Sequence, residues 1–221
     1  MPDLSQTSPA AFNCQGGLVL NRSTFLMQPG EALELQNFEP DIEGGYRRIN
    51  GFSKYVSAVV PQTSSSSEKV LMVATFGDFV VAARGEKIFS ATAGGSSWTE
   101  RDTGRTSASK YNFERYNFDG TSKLIVVDGN NAPTFFNTSM SATDVSESSV
   151  AGSKFVTAFR SHMFYAGKSS TPQTLVFSQP FDEDAFSSGS GAGTIRVDDT
   201  ITGLKVFRDN LFIFCENRIL N

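Results

Sequence analysis

One histidine, His162, limits the chemistry that the sequence could support. A Ser-His-Asp triad would have to use this residue, and a metal centre built from several histidines is excluded. His162 follows Arg160 and Ser161 between two apolar segments, so we expect it to lie in a solvated turn. The sequence therefore offers no histidine-based catalytic arrangement.

Clustered carboxylates are the second possible source of chemistry, because two carboxyl groups about 5 to 9 Å apart suffice for glycoside hydrolysis. All the clusters lie in segments rich in Gly, Ser or Pro, without the closely spaced aromatic residues of a sugar platform. We interpret them as solvated turns. The clustered residues are Glu39, Asp41 and Glu43, the run 182–184, and the pair Asp198 and Asp199.

Three further segments resemble known binding motifs but lack a decisive feature. Residues 128–131, DGNN, begin like a calcium loop without its later glutamate, and a hairpin turn explains them more simply. The glycine-rich run 189–193 precedes a strand and not a helix, so it forms no phosphate cradle. Residues 90–98 resemble the Asp-box of sialidase-like propellers, but Ala93 occupies the aspartate position. We expect no cofactor, no metal and no catalysis.

Composition narrows the class of partner. The formal net charge is −4 and 19% of residues are charged, which favours neither a nucleic acid nor an anionic membrane. No apolar run approaches the roughly 20 residues that cross a bilayer, and no signal-peptide pattern is present. Cys14 and Cys215 are too few and too far apart for a disulfide framework or a zinc site, so we expect plain thiols. These features predict folding in a cytoplasm.

Four hairpins recur along the chain, each an apolar strand, a polar turn and a second apolar strand. They start at Phe79, Leu124, Met163 and Leu211. A strand-like segment precedes each hairpin, and Trp98, Val145 and Phe186 follow the first three at similar offsets. The repeating unit therefore has about four strands and about 40 to 50 residues, as in a β-propeller blade.

The composition of the inner strands supports a propeller. Runs such as 124–127, LIVV, are apolar at every position, and this is typical of a strand that is packed on both faces. A sheet with one solvated face would alternate polar and apolar residues. The alternative is a β-sandwich or an irregular β-domain in which the spacing is accidental.

The repeat defines the expected domain organisation. Residues 1–60 predict an N-terminal arm and docking segment of short strands, and residues 61–221 predict blade-like units, of which the fourth is incomplete. An open stack of blades leaves faces and edges exposed to water. Either a longer polypeptide continues the stack, or other subunits cover its open side.

Two segments resemble a known protein family. Residues 37–52 read NFEPDIEGGYRRINGF, similar to the N-terminal signature of tailed-bacteriophage structural proteins, in which an arginine pair and Gly-Phe precede a β-propeller. Residues 201–214 read ITGLKVFRDNLFIF and, with residues 155–181, resemble the blades of those proteins. Relatives include nozzle proteins of short-tailed phages and packaged-DNA stabilisation proteins. The resemblance implies a virion protein beside the neck, tail or tail fibres, although such propellers usually contain much more chain.

These observations predict an all-β protein, a partial β-propeller of four-stranded units preceded by an extended N-terminal arm. We expect a virion structural protein, assembled in the host cytoplasm, that is oligomeric and contacts portal, adaptor, tail or fibre subunits. The alternative is a carbohydrate-binding propeller module of a receptor-binding tail protein, for which Trp98, Tyr111 and Tyr116 would cluster on one rim. The candidate interface residues are Tyr46, Arg47, Arg48, Phe52, Leu211, Phe212 and Ile219.

Overall fold

The computed structural model describes residues 16–42, 45–63, 68–106 and 110–221. Within these ranges the chain forms β-strands and two short 3₁₀ turns, and no α-helix. It divides into two compact units, Met1–Ser53 and Lys54–Asn221. The prediction of an all-β fold is confirmed.

In its described residues, 16–42 and 45–53, the first unit contains only short elements. Its two strand pairs are β1 (Gly17–Leu18) with β2 (Glu31–Ala32), which run parallel, and β3 (Phe38–Pro40) with β4 (Tyr46–Arg48), which run antiparallel. A 3₁₀ turn covers Thr24–Leu26. Strands of two or three residues bury little apolar surface, so these pairs contribute little stability by themselves.

The second unit consists of successive antiparallel sheets. Blade 1 contains β5 (Val70–Phe76), β6 (Phe79–Arg84), β7 (Lys87–Thr92) and β8 (Thr99–Asp102). Blade 2 contains β9 (Asn112–Asn117), β10 (Ser122–Val127), β11 (Thr134–Phe136) and β12 (Ala142–Asp144). Blade 3 contains β13 (Phe155–Phe159), β14 (His162–Ala166), β15 (Thr174–Phe177) and β16 (Gly193–Arg196). Blade 4 contains β17 (Ile201–Phe207), β18 (Asn210–Cys215) and β19 (Ile219–Leu220).

Each pair of neighbouring blades encloses its own apolar core. The first core, between blades 1 and 2, includes Met72, Val81, Ile88, Leu124, Val126 and Phe136. The second, between blades 2 and 3, includes Ile125, Val127, Val156, Met163 and Tyr165. The third, between blades 3 and 4, includes Ala166, Leu175, Ile201 and Leu211. The second unit is therefore a partial β-propeller, in which the blades are packed face to face.

Strand β10 shows why a blade strand is apolar at every position. Leu124 and Val126 belong to the first core, whereas Ile125 and Val127 belong to the second. Successive side chains of a strand point to opposite faces, and here both faces are covered. The run LIVV is therefore explained by burial on two sides, as its composition predicted.

Two local predictions were wrong. The turn between β13 and β14 contains only Arg160 and Ser161, both at positive φ, as a two-residue type I′ hairpin requires. His162 is consequently the first residue of β14 and not a turn residue; its Nδ1 lies 2.6 Å from the Ser178 carbonyl oxygen. The fourth strand of blade 3 is Gly193–Arg196, so Phe186 lies in the preceding loop and packs against Tyr165.

A segment before the first blade strand is bonded along blade 1. The Gly94 N–H donates to the Tyr55 carbonyl, and the Trp98 Nε1–H donates to the Ala58 carbonyl at 3.0 Å. The Arg84 guanidinium donates to the Val60 carbonyl. The sequence assigned residues 54–60 to the arm, whereas these bonds lie within the second compact unit.

Candidate assembly surfaces

The first candidate surface is the outward face of blade 4, the face opposite the third core. It arises because successive side chains along a strand point to opposite faces of the sheet. Leu204, Val206, Leu211 and Ile213 face the third core. The opposite face carries Phe212, paired with Lys205, and Phe214, paired with Ile219. Phe214 is 37% exposed and Ile219 62% exposed. An apolar face of this kind resembles the faces that the other blades bury against their neighbours.

The structure separates the three candidate interface residues of blade 4. Ile219 is exposed and Phe212 is half-buried on the outward face. Leu211 instead packs in the third core and is buried. Leu211 is therefore occupied by the contact between blades 3 and 4, and only Phe212 and Ile219 are available on the outward face.

The described part of the N-terminal unit is the second candidate surface. In residues 16–42 and 45–53, the only buried residue is Gly30, which has no side chain. Nine large apolar residues in these ranges are exposed: Leu18, Leu20, Phe25, Leu26, Leu33, Phe38, Ile42, Ile49 and Phe52. Phe25 is 96% exposed and Phe52 is 97% exposed. The described residues of this unit thus form no hydrophobic core of their own.

The candidate residues of the N-terminal unit surround its second strand pair. Tyr46 is half-buried, and its hydroxyl donates to the Gly30 carbonyl at 3.1 Å. The Arg47 Nε–H donates to Glu39 at 2.7 Å in an exposed ion pair. Arg48 and Phe52 are exposed. Of the predicted carboxylate cluster here, Glu39 pairs with Arg47, and Glu43 lies outside the described residues.

Sequence analysis did not indicate a polar cluster in the described residues that centres on Arg105. Its guanidinium donates to Asp102 at 2.6 Å, to Asp128 at 2.9 Å and to the Thr134 hydroxyl at 2.6 Å. It also lies 5.6 Å from the centre of the Tyr111 ring. Asp102 ends β8 in blade 1, whereas Asp128 and Thr134 belong to blade 2. Arg105 therefore links two blades through a buried charge.

The protonation of this cluster follows from burial and its partners. Burial by itself lowers the pKa of Arg105, but the charge of Asp128, the neighbouring Tyr111 and the hydrogen bonds to Asp102 and Asp128 together outweigh that effect, and the pKa is raised. Burial would raise the pKa of Asp128, but the N–H groups of Asn131 and Asn130 and the charge of Arg105 lower it. Burial raises the pKa of Tyr111 to about 12. Arg105 and Asp128 are thus both charged at neutral pH.

The same geometry explains the segment that resembled a calcium loop. Asp128 Oδ1 accepts the N–H groups of Asn130 and Asn131 at 2.9 and 2.8 Å, and Oδ2 accepts the Asn131 side-chain amide at 2.7 Å. The carboxylate is therefore used within its own turn and on Arg105. Within the described ranges, no group of three or more His, Cys, Asp or Glu residues could hold a metal ion.

The other carboxylates proposed as solvated turns are partly structural. Glu183 is buried, and the Lys123 ammonium donates to it at 2.7 Å, which joins the long loop of blade 3 to blade 2. The Asp184 side chain accepts the Ser146 N–H at 3.0 Å. Asp199 accepts the backbone N–H groups of Thr200 and Asn217. The interpretation of Glu183 as a solvated residue was wrong, because the loop folds back onto the second core.

The aromatic cluster expected for a sugar-binding rim does not form. Tyr111 belongs to the first core and Tyr116 to the second, and both are buried. Trp98 is half-buried and bonded to the segment before blade 1. Because the three rings lie in different environments, they provide no common stacking platform.

Two remaining features concern membranes and thiols. No helix in the described part of the chain has the length and apolar character to cross a membrane. Cys215 is a free thiol, partly buried against the third core, and this desolvation raises its pKa. Cys14 lies outside the described residues, so its expected thiol state stays a prediction.

No protein-family model and no curated protein sequence matches the chain. Among solved structures, it is similar to BamB from Moraxella catarrhalis, at 9% identity and a TM-score of 0.45 over 69% of this chain and 43% of that chain. It is also similar to BBS1N in complex with ARL6DN, at 9% identity and a TM-score of 0.44 over 74% of this chain and 54% of that chain. Both are β-propeller proteins. The chain spans about half the length of each, and at such identity the similarity is one of fold alone.

Proposed function

We propose that the chain is a structural component of a bacteriophage virion, in the neck, tail or nozzle region, and that it acts through protein–protein assembly. The observation that carries the proposal is the N-terminal unit, whose described residues expose nine large apolar side chains and bury none. Apolar surface left in water costs roughly 25 cal/mol per Å². Such a segment gains stability when it docks on a partner.

The assignment to a virion rests on the resemblance of residues 37–52 to the N-terminal signature of tailed-phage proteins. Those residues include the exposed Arg48 and Phe52, together with the strand pair β3 and β4. The outward face of blade 4 adds a second apolar surface. The partners of the right kind are portal, adaptor, tail or fibre subunits, and the chain would be oligomeric in the particle.

The carbohydrate-binding alternative required Trp98, Tyr111 and Tyr116 to cluster on one rim, and they do not. Tyr111 and Tyr116 are core residues of different blade junctions and cannot stack on a sugar. We therefore do not propose a glycan ligand.

The direct test is mass spectrometry of gradient-purified, DNA-filled particles of the phage that encodes the chain. We expect the polypeptide in the particles at a fixed ratio to the portal protein. Its intact mass there also distinguishes a chain of 24.0 kDa from a longer polypeptide that continues the stack. Absence from particles, with the protein present in the lysate, would contradict the proposal.

Substitutions in the arm test the surface itself. We expect Phe25→Ser and Phe52→Ser to reduce incorporation into particles while the free energy of unfolding of the blades stays unchanged, because neither side chain is packed in a core. Phe181→Asn is the matched control, since Phe181 is 62% exposed but belongs to a loop of blade 3. Equal incorporation of all three variants would argue against docking through the arm.

A further inference from the structure

Asn50 and Gly51 form the one Asn-Gly pair of the sequence. Both residues are exposed and follow β4 in a segment without regular structure. A Cβ added at Gly51 would meet no atom within 4 Å, so the space around this peptide bond is open. Among the described residues, the backbone bond nearest to the pair is that from the Ile49 N–H to the Asn37 carbonyl, at 3.0 Å.

We propose that Asn50 is a site of spontaneous deamidation. The main-chain nitrogen of Gly51 attacks Cγ of Asn50 and forms a five-membered succinimide. The bond from Cγ to the side-chain nitrogen breaks, and that nitrogen leaves as ammonia with the proton from the Gly51 amide. Water then opens the ring at either carbonyl, giving aspartate or isoaspartate. Neither oxidant nor reductant takes part.

Glycine at position 51 is what makes the attack accessible. Without a Cβ, the backbone at Gly51 reaches conformations that other residues rarely adopt, and no side chain shields its nitrogen. Asparagine is among the residues that limit protein lifetime at high temperature. Every other asparagine of the chain precedes a residue that carries a side chain or ends the sequence.

The structure also shows where related chemistry is blocked. Asp128 and Gly129 form a similar pair, but the Gly129 N–H donates to the Ser153 carbonyl at 2.9 Å, and the Asp128 carboxylate is buried on Arg105. A nitrogen held in this way cannot approach the neighbouring side chain. The pair at 50–51 has no comparable restraint within the part of the chain that the structure describes.

The product would change the arm chemically. One negative charge is added to a chain whose formal net charge is −4, two residues from Arg48. In the isoaspartate form, the main chain gains a methylene directly before Gly51 and displaces the exposed Phe52. This inference does not depend on the proposed function, because the reaction needs only solvent and an open peptide bond.

The experiment is peptide mapping by mass spectrometry of the intact, folded protein after incubation at neutral and mildly alkaline pH in heavy-oxygen water. We expect Asn50 to convert first and faster at higher pH, with a heavy oxygen in both products, while exposed Asn21, which precedes Arg22, keeps its amide. N50Q should abolish the signal at position 50, G51A should slow it to the rate of Asn21, and R22G should accelerate conversion at Asn21. Conversion of Asn50 no faster than that of Asn21, or far slower than in a synthetic peptide of residues 45–54, would overturn the proposal.

Discussion

At the scale of single residues, Arg105 shows how a buried charge is tolerated between two blades. Its hydrogen bonds to Asp102, Asp128 and Thr134 occupy both ends of the guanidinium. A buried ion pair contributes stability only when its hydrogen bonds are well satisfied, and removal of one partner leaves an uncompensated charge. Substitution of either Arg105 or Asp128 should therefore lower the free energy of unfolding.

We predict that Arg105→Leu lowers the free energy of unfolding by about 3 to 5 kcal/mol, because the Asp128 carboxylate stays buried without its cation. Urea denaturation followed by intrinsic fluorescence measures the change. Lys87→Leu is the control, since the Lys87–Glu100 pair is partly exposed and should contribute at most about 1 kcal/mol. Similar losses in the two variants would contradict this account of Arg105.

The lowered pKa of Asp128 predicts how the free energy of unfolding depends on pH in the acid range. Its pKa in the folded protein lies below the unfolded value of 3.8, so its contribution is complete above pH 3.8 and is lost as the pH falls through the folded pKa. We expect the difference in unfolding free energy between the wild type and Asp128→Asn to shrink as the pH falls below that value. Asp78→Asn, in an exposed turn, controls for net charge alone. A constant difference would be inconsistent with the ionised cluster.

The sequence alone could not reveal the Arg105 cluster. Its partners Asp128 and Thr134 are more than twenty residues away along the chain, and they meet it only because the blades stack. In the sequence, Arg105 stands among polar residues and therefore looks like a solvated loop residue. The same is true of Glu183, which meets Lys123 across a long loop.

At the scale of elements, periodicity was more informative. The four hairpins were located correctly because apolar runs bounded by turn residues are local signals, and β10 shows that runs apolar at every position mark strands with two covered faces. The local pattern did not locate the fourth strand of blade 3, because a long loop separates β15 from β16. Outer strands are short and carry few apolar residues, so they leave a weak signature.

The division of β10 between two cores gives a prediction for each face. We expect Leu124→Ala and Ile125→Ala each to cost about 2 to 5 kcal/mol, because both side chains are fully buried. Hydrogen exchange should distinguish them: Leu124→Ala should increase exchange most in blade 1, and Ile125→Ala most in blade 3. An identical exchange pattern would mean that the two cores do not act as separate junctions.

Substitutions in the turn between β13 and β14 can raise the stability of the protein. Arg160 and Ser161 adopt φ of 46° and 66°, where Asn and Gly are favoured. We predict that Arg160→Asn combined with Ser161→Gly raises the free energy of unfolding by about 1 kcal/mol, measured by thermal denaturation. Asp209→Gly, at a turn position without positive φ, should lower it, because glycine there only adds entropy to the unfolded chain. Stabilisation by both would point to a cause other than backbone strain.

At the scale of the whole molecule, the outward face of blade 4 exposes the apolar side chains of Phe214 and Ile219. We predict that the 221-residue chain associates in a concentration-dependent way and that Phe214→Ser reduces this association in sedimentation velocity. Phe113→Ser is the matched control, because Phe113 is 38% exposed, close to the 37% of Phe214, but lies on β9, which does not contribute to that face.

The outcome separates two sources of association. If Phe214→Ser weakens it and Phe113→Ser does not, the outward face of blade 4 is the adhesive surface, and apolar burial at a blade junction is the driving force. If neither variant alters the sedimentation profile while Phe25→Ser does, the N-terminal unit mediates the contact. If the chain stays monomeric at every concentration, neither surface drives self-association. Such a result would contradict the prediction, because exposed apolar side chains on both surfaces should gain stability when they are covered.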